Sequence, residues 1–200
     1  MPFAVLAAVA MVADWWAVWR GDRRVEGVAK PVATLALLLC AVALDPASSS
    51  QRAWFVVALA LCLAGDVLLY LDRFVPGLVA FLLGHLAYIV GFWTVPQQLD
   101  LLAVGAVIVA LNVARLARPI LAGAPDELRV PVTVYMGVIG LMTISAMGSG
   151  SLLAVIGAAV FMLSDSILAW NKFVLPLPWA PVAIMVTYHL AQAALVASLV

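Results

Sequence analysis

Eight apolar runs, separated only by a few charged, proline or glycine residues, occupy almost the whole chain: 2–19, 31–44, 53–71, 74–95, 99–116, 130–147, 151–170 and 178–199. Most approach the roughly 20 residues that a helix needs to cross a bilayer core. Hydrocarbon offers backbone N–H and C=O groups no partner, so a spanning segment must be a helix or part of a closed barrel. Barrel strands alternate polar and apolar residues over about ten positions; these continuous Leu/Ala/Val runs do not. The chain is therefore predicted to be an all-α integral membrane protein of eight transmembrane helices, a single transmembrane domain over residues 1–200. Composition agrees, with 67% apolar and 10% charged residues, against roughly 25% charged in soluble domains. The zero net charge gives no reason to expect nucleic acid as a partner. The first run lacks a basic n-region and a small-residue cleavage motif, so it is read as a retained span. The second run is short, and Pro31 is expected at its first helical position.

Eight crossings divide the basic residues very unevenly. Arg20, Arg23, Arg24, Lys30, Arg73, Arg115, Arg118, Arg129 and Lys172 share one side, and Arg52 stands alone on the other. The positive-inside rule makes the rich side cytoplasmic, with both termini outside and the protein a multi-pass component of the cell (cytoplasmic) membrane. Trp15, Trp16, Trp19, Trp170 and Tyr70 are expected as interface anchors on the inner side. Cys40 and Cys62 lie in apolar runs without CxxC spacing or a nearby His, so they are read as packing residues. Gly65, Gly84 and Gly91 are expected to allow close helix approach.

Within this apolar chain, two aspartates need a reason. Asp66 lies in GDVLLYLDRF and Asp165 in SDSILAWNKF; in both, Leu follows at three residues, a basic residue at seven and Phe at eight. A carboxylate at mid-helix costs about 2.5–3.5 kcal/mol even on lenient insertion scales, and such residues mark functional paths by default. The same offset relates KPVAT at 30–34 to RVPVT at 129–133, and each Asp span precedes a span with a His. Two four-helix repeats, 1–98 and 99–200, of parallel orientation are expected.

The remaining polar residues converge on the same half of the bilayer. Asp66 and Asp165 fall roughly 9 Å from the inner helix ends, and His85 and His189 roughly 16 Å, at 1.5 Å per residue. Tyr88 shares a helix face with His85, and Gln192 with His189. Asn112 lies at the depth of the aspartates, while Tyr135 and Lys30 enter from the cytoplasmic ends of their spans. An inward-opening cavity would satisfy these groups. For the histidines, a helix–helix hydrogen bond is the plain alternative. For Asp14 it is a pairing near Arg20 at the interface.

The motifs KPxxT (30–34), GDxLL (65–69), GHxxY (84–88), SDxxLAxNKF (164–173) and YHxAQ (188–192) occur in order across nearly the whole chain. In this the chain resembles the YhhN-like lysoplasmalogenase family of multispan membrane proteins. The resemblance implies a hydrolase that splits the vinyl ether of lysoplasmalogen into a fatty aldehyde and glycerophospho-ethanolamine or -choline. It carries catalysis to Asp66 and Asp165. At His85, Tyr88, His189 and Gln192 the family pattern shows only that polar residues recur. From their place among the spans and motifs, the candidate substrate contacts are Lys30, His85, Tyr88, Asn112, Tyr135, Asn171, Lys172, Tyr188, His189 and Gln192. The implied partners are a membrane-resident lysophospholipid and water; no oligomeric state, cofactor or metal is implied.

Vinyl ethers are hydrolysed by acid, through slow protonation of the β-carbon to an oxocarbenium ion that water traps. Two carboxyls supply acid and counter-charge, as they do for the related cation of glycoside hydrolysis. The pair is expected to share one proton, with either Asp as the acid. Lys30, Arg73 and Lys172 are candidate headgroup contacts. Three rival readings remain: a proton-coupled small-molecule or lipid transporter, a haem carrier with His85 and His189 as axial ligands, and a serine hydrolase. The last is disfavoured because no GxSxG occurs.

Overall fold

Helix starts follow capping chemistry. Asp22 accepts from the N–H groups of Arg24 and Val25, Ser48 from Gln51, and Ser151 from Ala154. These caps open α2 (Arg23–Ala43), α3 (Ser49–Tyr70) and α7 (Leu152–Phe173). The others are α1 (Pro2–Arg20), α4 (Phe74–Phe92), α5 (Leu99–Gly123), α6 (Asp126–Gly148) and α8 (Ala180–Ala197). In this computed structural model, which describes residues 2–200, all eight helices are long and apolar enough to cross a bilayer. No strand occurs among the described residues.

The expected start of the second span needs correction. α2 begins at Arg23, and Pro31 lies inside it rather than at its first position. Hydropathy locates the apolar part of a helix, whereas the cap locates its start. The Asp22 side chain satisfies two of the free N–H groups of the first turn, so the charged segment ahead of Pro31 is helical too. Pro31 leaves the Gly27 carbonyl without its usual partner. At Gly27 the absence of a side chain lets the Tyr70 ring seat against the backbone. The helices likewise outrun the apolar stretches elsewhere: α5 runs through Pro119 to Gly123, and α6 starts at Asp126, before Pro131, without a side-chain cap.

Small residues let the helices pack closely, since apolar lipid gives no hydrophobic drive and dispersion contacts dominate. A Cβ on Gly84 would sit 2.9 Å from Cys62 Sγ and 3.2 Å from the Ala58 carbonyl oxygen; Gly65 faces Phe81 and Gly91 faces Phe55. Gly157 makes the equivalent approach of α7 to α8, with Leu195 N at 3.0 Å and Ala191 O at 3.1 Å from such a Cβ. Both cysteines are free. Helices consecutive in the chain pack together, with one exception among the described residues: α4 and α5 do not pack along their lengths. Instead α4 packs on α6, α5 on α6 and α7, and α8 on α1 and α2. α5 buries only Gly105, Val109 and Ile120. Its ends are nevertheless fixed, by Gln98 N–H donating to Gly148 O at 2.8 Å and by Gly123 lying against the Phe173 carbonyl.

Candidate active site

Lys30 and Thr34 are one turn apart on α2, so they share a face, and that face meets Asp66 of α3. Lys30 Nζ lies 3.1 Å from Asp66 Oδ1. The Thr34 hydroxyl donates to Asp66 Oδ2 at 2.6 Å, and the Tyr188 hydroxyl of α8 donates to the same oxygen at 2.9 Å. Both Lys30 and Asp66 are buried, so Lys30 is no mere interfacial charge. A cation and two hydroxyls surround this carboxyl, the partner set of an anion.

Asp165 of α7 has a sparser shell. Tyr135 of α6 donates to its Oδ2 at 2.9 Å. His85 Nε2 of α4 is 3.8 Å from the same oxygen, beyond direct hydrogen-bond reach. The Asp165 side chain keeps 16% of its surface exposed, whereas that of Asp66 has none. The two carboxyls therefore have separate partners, and among the described residues neither hydrogen-bonds the other. The cation paired with Asp66 is Lys30.

Aromatic rings connect these centres. Phe161 stands edge-to-face with His85 at 4.6 Å and with Tyr188 at 5.5 Å, and Tyr188 lies 5.3 Å from the His189 ring. Two rings thus separate His85 from His189, which does not fit the axial ligands of one haem. His189 belongs to a third cluster: its Nδ1 accepts from Trp15 Nε1 at 2.9 Å and lies 3.9 Å from Asp14 Oδ2. Trp15 thus donates its indole N–H to a buried acceptor, whereas Trp16 and Trp19 are exposed. One expectation fails here. Asp14 is fully buried rather than paired near Arg20, and neither carboxyl oxygen has a hydrogen-bond partner.

Three cavities lie side by side toward the basic ends of the helices and share lining residues. A polar vestibule is lined by Arg23, Glu26, Lys30, Asp66, Tyr70 and Asp72. It shares Lys30, Leu69 and Met185 with a smaller chamber that Tyr188, Phe81 and Asp165 also line. The chamber shares Phe74, Leu78, Tyr135, Asp165 and Leu168 with a narrow apolar slot between α4, α5, α6 and α7. Asp66 borders the first space, and Asp165 stands where the second meets the third.

The other expected contacts scatter. Asn112 and Lys172 line the slot, Lys172 with its Nζ 4.1 Å from the Phe74 ring centroid. Tyr88 and Gln192 are buried and bonded to each other, hydroxyl to Oε1 at 2.5 Å, away from the three cavity walls. Asn171 closes the turn before α8, accepting from Leu177 N–H at 2.7 Å. Arg73 is exposed at the start of α4 and lines none of these three spaces. Thr34 is the residue that sequence reasoning passed over, although its spacing from Lys30 carried the signal. No cluster of metal-ligating side chains occurs among the described residues.

No solved structure matches the chain. Among curated proteins, it is 35% identical to human "Lysoplasmalogenase TMEM86B" over 68% of this chain and 58% of that protein. It is 34% identical to the pig protein of the same name, over 81% of this chain and 69% of the relative. With "Lysoplasmalogenase" of Mycobacterium tuberculosis it shares 35% identity over 72% of this chain and 59% of that protein. The matched stretch thus spans under two thirds of the human and mycobacterial relatives. The model of the YhhN family matches residues 25–199, α2 to α8 with both aspartate clusters. By the extent of that match, this chain belongs to the YhhN family.

Proposed function

We propose that this protein is a lysoplasmalogenase that hydrolyses the vinyl ether of a lysoplasmalogen inside the bilayer. One observation carries it: the two span aspartates border neighbouring cavities that share lining residues and grade from polar to apolar, as an amphiphilic substrate does. The relatives' names point the same way.

The partner sets suggest the roles that spacing left open. Asp165, partly exposed at the mouth of the slot, is the acid. It gives its proton to the β-carbon of the alkenyl group, a C–H bond forms, and the π electrons leave an oxocarbenium ion. Asp66, held by Lys30, Thr34 and Tyr188, supplies negative charge on the vestibule side and orients water there, the electrostatic share of the work. Water adds to the cationic carbon, and its proton restores Asp165. The hemiacetal then passes its hydroxyl proton to the departing glycerol oxygen, giving aldehyde and alcohol with net uptake of one water.

The experiment is release of fatty aldehyde from lysoplasmalogen by purified protein. Asp165→Asn and Asp66→Asn should each lower kcat by about 10²–10⁴-fold, the usual worth of a positioned acid or base, with the fold intact by circular dichroism. Full activity in either variant removes that residue from the chemistry. Proton-driven uptake into vesicles without cleavage would favour the transporter instead.

The basic helix ends are assigned to the cytoplasmic side of the cell membrane, with both termini outside, on the positive-inside rule. The halves 1–98 and 99–200 are read as parallel repeats, the fourth helix of each also touching the second helix of the other. The packing of α2 on α8 and of α4 on α6 supports this. So do the partners: Asp66 takes Tyr188 from the other half, and Asp165 faces His85 from the other half.

A further inference from the structure

The apolar slot is walled on one side by α4, through Phe74 and Leu78, and on the other by α5, through Val113 and Ile120. These are the two consecutive helices that do not pack on each other. The corresponding place in the other half, between α8 and α1, is closed by direct packing. α5 is held at one end by Gln98 on Gly148 and at the other by Gly123 against Phe173, that is, by α6 and α7 and not by α4. Most of its surface faces outward, with Val104, Val107, Ile108 and Leu111 exposed. A slot bounded in this way opens sideways, into the hydrocarbon layer.

We propose that the gap between α4 and α5 is the lateral port through which a single hydrocarbon chain passes, with the lipid's phosphate directed away from it, into the vestibule at Arg23 and Lys30. This rests on the hydrolase reading and adds the direction in which the substrate lies. Polarity selects that direction. The vestibule carries Arg23 and Lys30 together with Glu26, Asp66 and Asp72; the slot is apolar but for Asn112, Tyr135, Asp165, Ser166 and Lys172. On α7 the slot reaches Lys172 toward the basic end, but only Met162 in the other direction. From Asp165 to Met162 is about 5 Å at 1.5 Å per residue, too short for a long chain. A chain attached to a carbon at Asp165 must therefore leave between α4 and α5. Lys172, with its ammonium over the Phe74 ring, borders the chain's path and is not the headgroup contact. One port and one slot also fit a lipid with one chain better than a lipid with two.

The test pairs a plug with a label. Val113→Trp narrows the port, and the ratio of kcat/KM for a hexadecenyl over a butenyl lysoplasmalogen should fall at least about tenfold, roughly 1.4 kcal/mol of lost chain binding. An unchanged ratio overturns the port. In parallel, a lysophospholipid with a diazirine in its chain is photolysed in wild-type proteoliposomes and the adducts are mapped by mass spectrometry. Adducts on the facing stretches of α4 and α5 support the port, and adducts confined to α1 and α2 overturn it. If the tryptophan abolishes turnover of both substrates alike, the label decides. Wild-type protein that is labelled at the port but releases no aldehyde would retire the hydrolase reading and leave the port standing.

Discussion

Asp66 and Asp165 sit in segments of nearly the same sequence yet meet different chemistry. Lys30 and Thr34 share one face of α2, and that face turns inward to Asp66. In α6 the matching Arg129 and Thr133 face outward, Arg129 pairing with Asp126 at 2.9 Å, and Tyr135 serves Asp165 instead. Thr34→Val keeps the shape but removes one donor to Asp66. It should lower kcat about tenfold, near the 1–1.5 kcal/mol of a net hydrogen bond, and leave KM nearly unchanged; a kcat equal to wild type would mean Thr34 serves only packing. Trp15→Phe removes the donor to His189 and should cost about 0.6 kcal/mol, the mean for interhelical hydrogen bonds in membranes. A thermal melt in detergent would show that small loss. The aspartate, lysine and histidine positions were legible because a charge in hydrocarbon demands an explanation. The Asp14 burial and the Trp15–His189 bond were not, since interface proximity gave both residues an ordinary reading.

At the level of helices, glycines fix the distances on which the clusters depend. The Cβ of a residue at 157 would meet backbone atoms of α8 at 3.0 and 3.1 Å, and backbone cannot rotate away as a side chain can. Gly157→Val should therefore destabilise the protein by about 1–3 kcal/mol, as overpacking does, seen as a lower melting temperature. Tyr188 lies on the helix that is pushed, so turnover should fall with stability. Gly123→Ala acts at the other hinge, where the Phe173 carbonyl occupies the space of the new methyl. It should loosen the basic end of α5 and weaken discrimination between long and short alkenyl chains, measured as the same kcat/KM ratio. Helix number and type were legible from run length. Helix starts at Arg23 and Asp126 were not, because hydropathy is blind to charged turns that cap and extend a span.

Across the whole molecule, polar groups cluster at one end and apolar walls open sideways, which suits a reaction that needs water and a lipid together. If the basic ends face the cytoplasm, a cysteine placed at Arg24 should resist a membrane-impermeant maleimide in intact cells, and one at Gln98 should react. The opposite pattern would invert the topology without disturbing the site. Sequence alone determined that this chain crosses the membrane as helices, because unpaired backbone polar groups are intolerable in hydrocarbon, and singled out Asp66 and Asp165 as candidates, because buried charge is costly. Only the tertiary structure decided which neighbours each carboxyl receives, that Tyr88 and Gln192 bond to each other, and that α4 and α5 stand apart. Those outcomes depend on the rotation and spacing of helices distant in sequence, which are set by many small packing contacts that no single segment encodes.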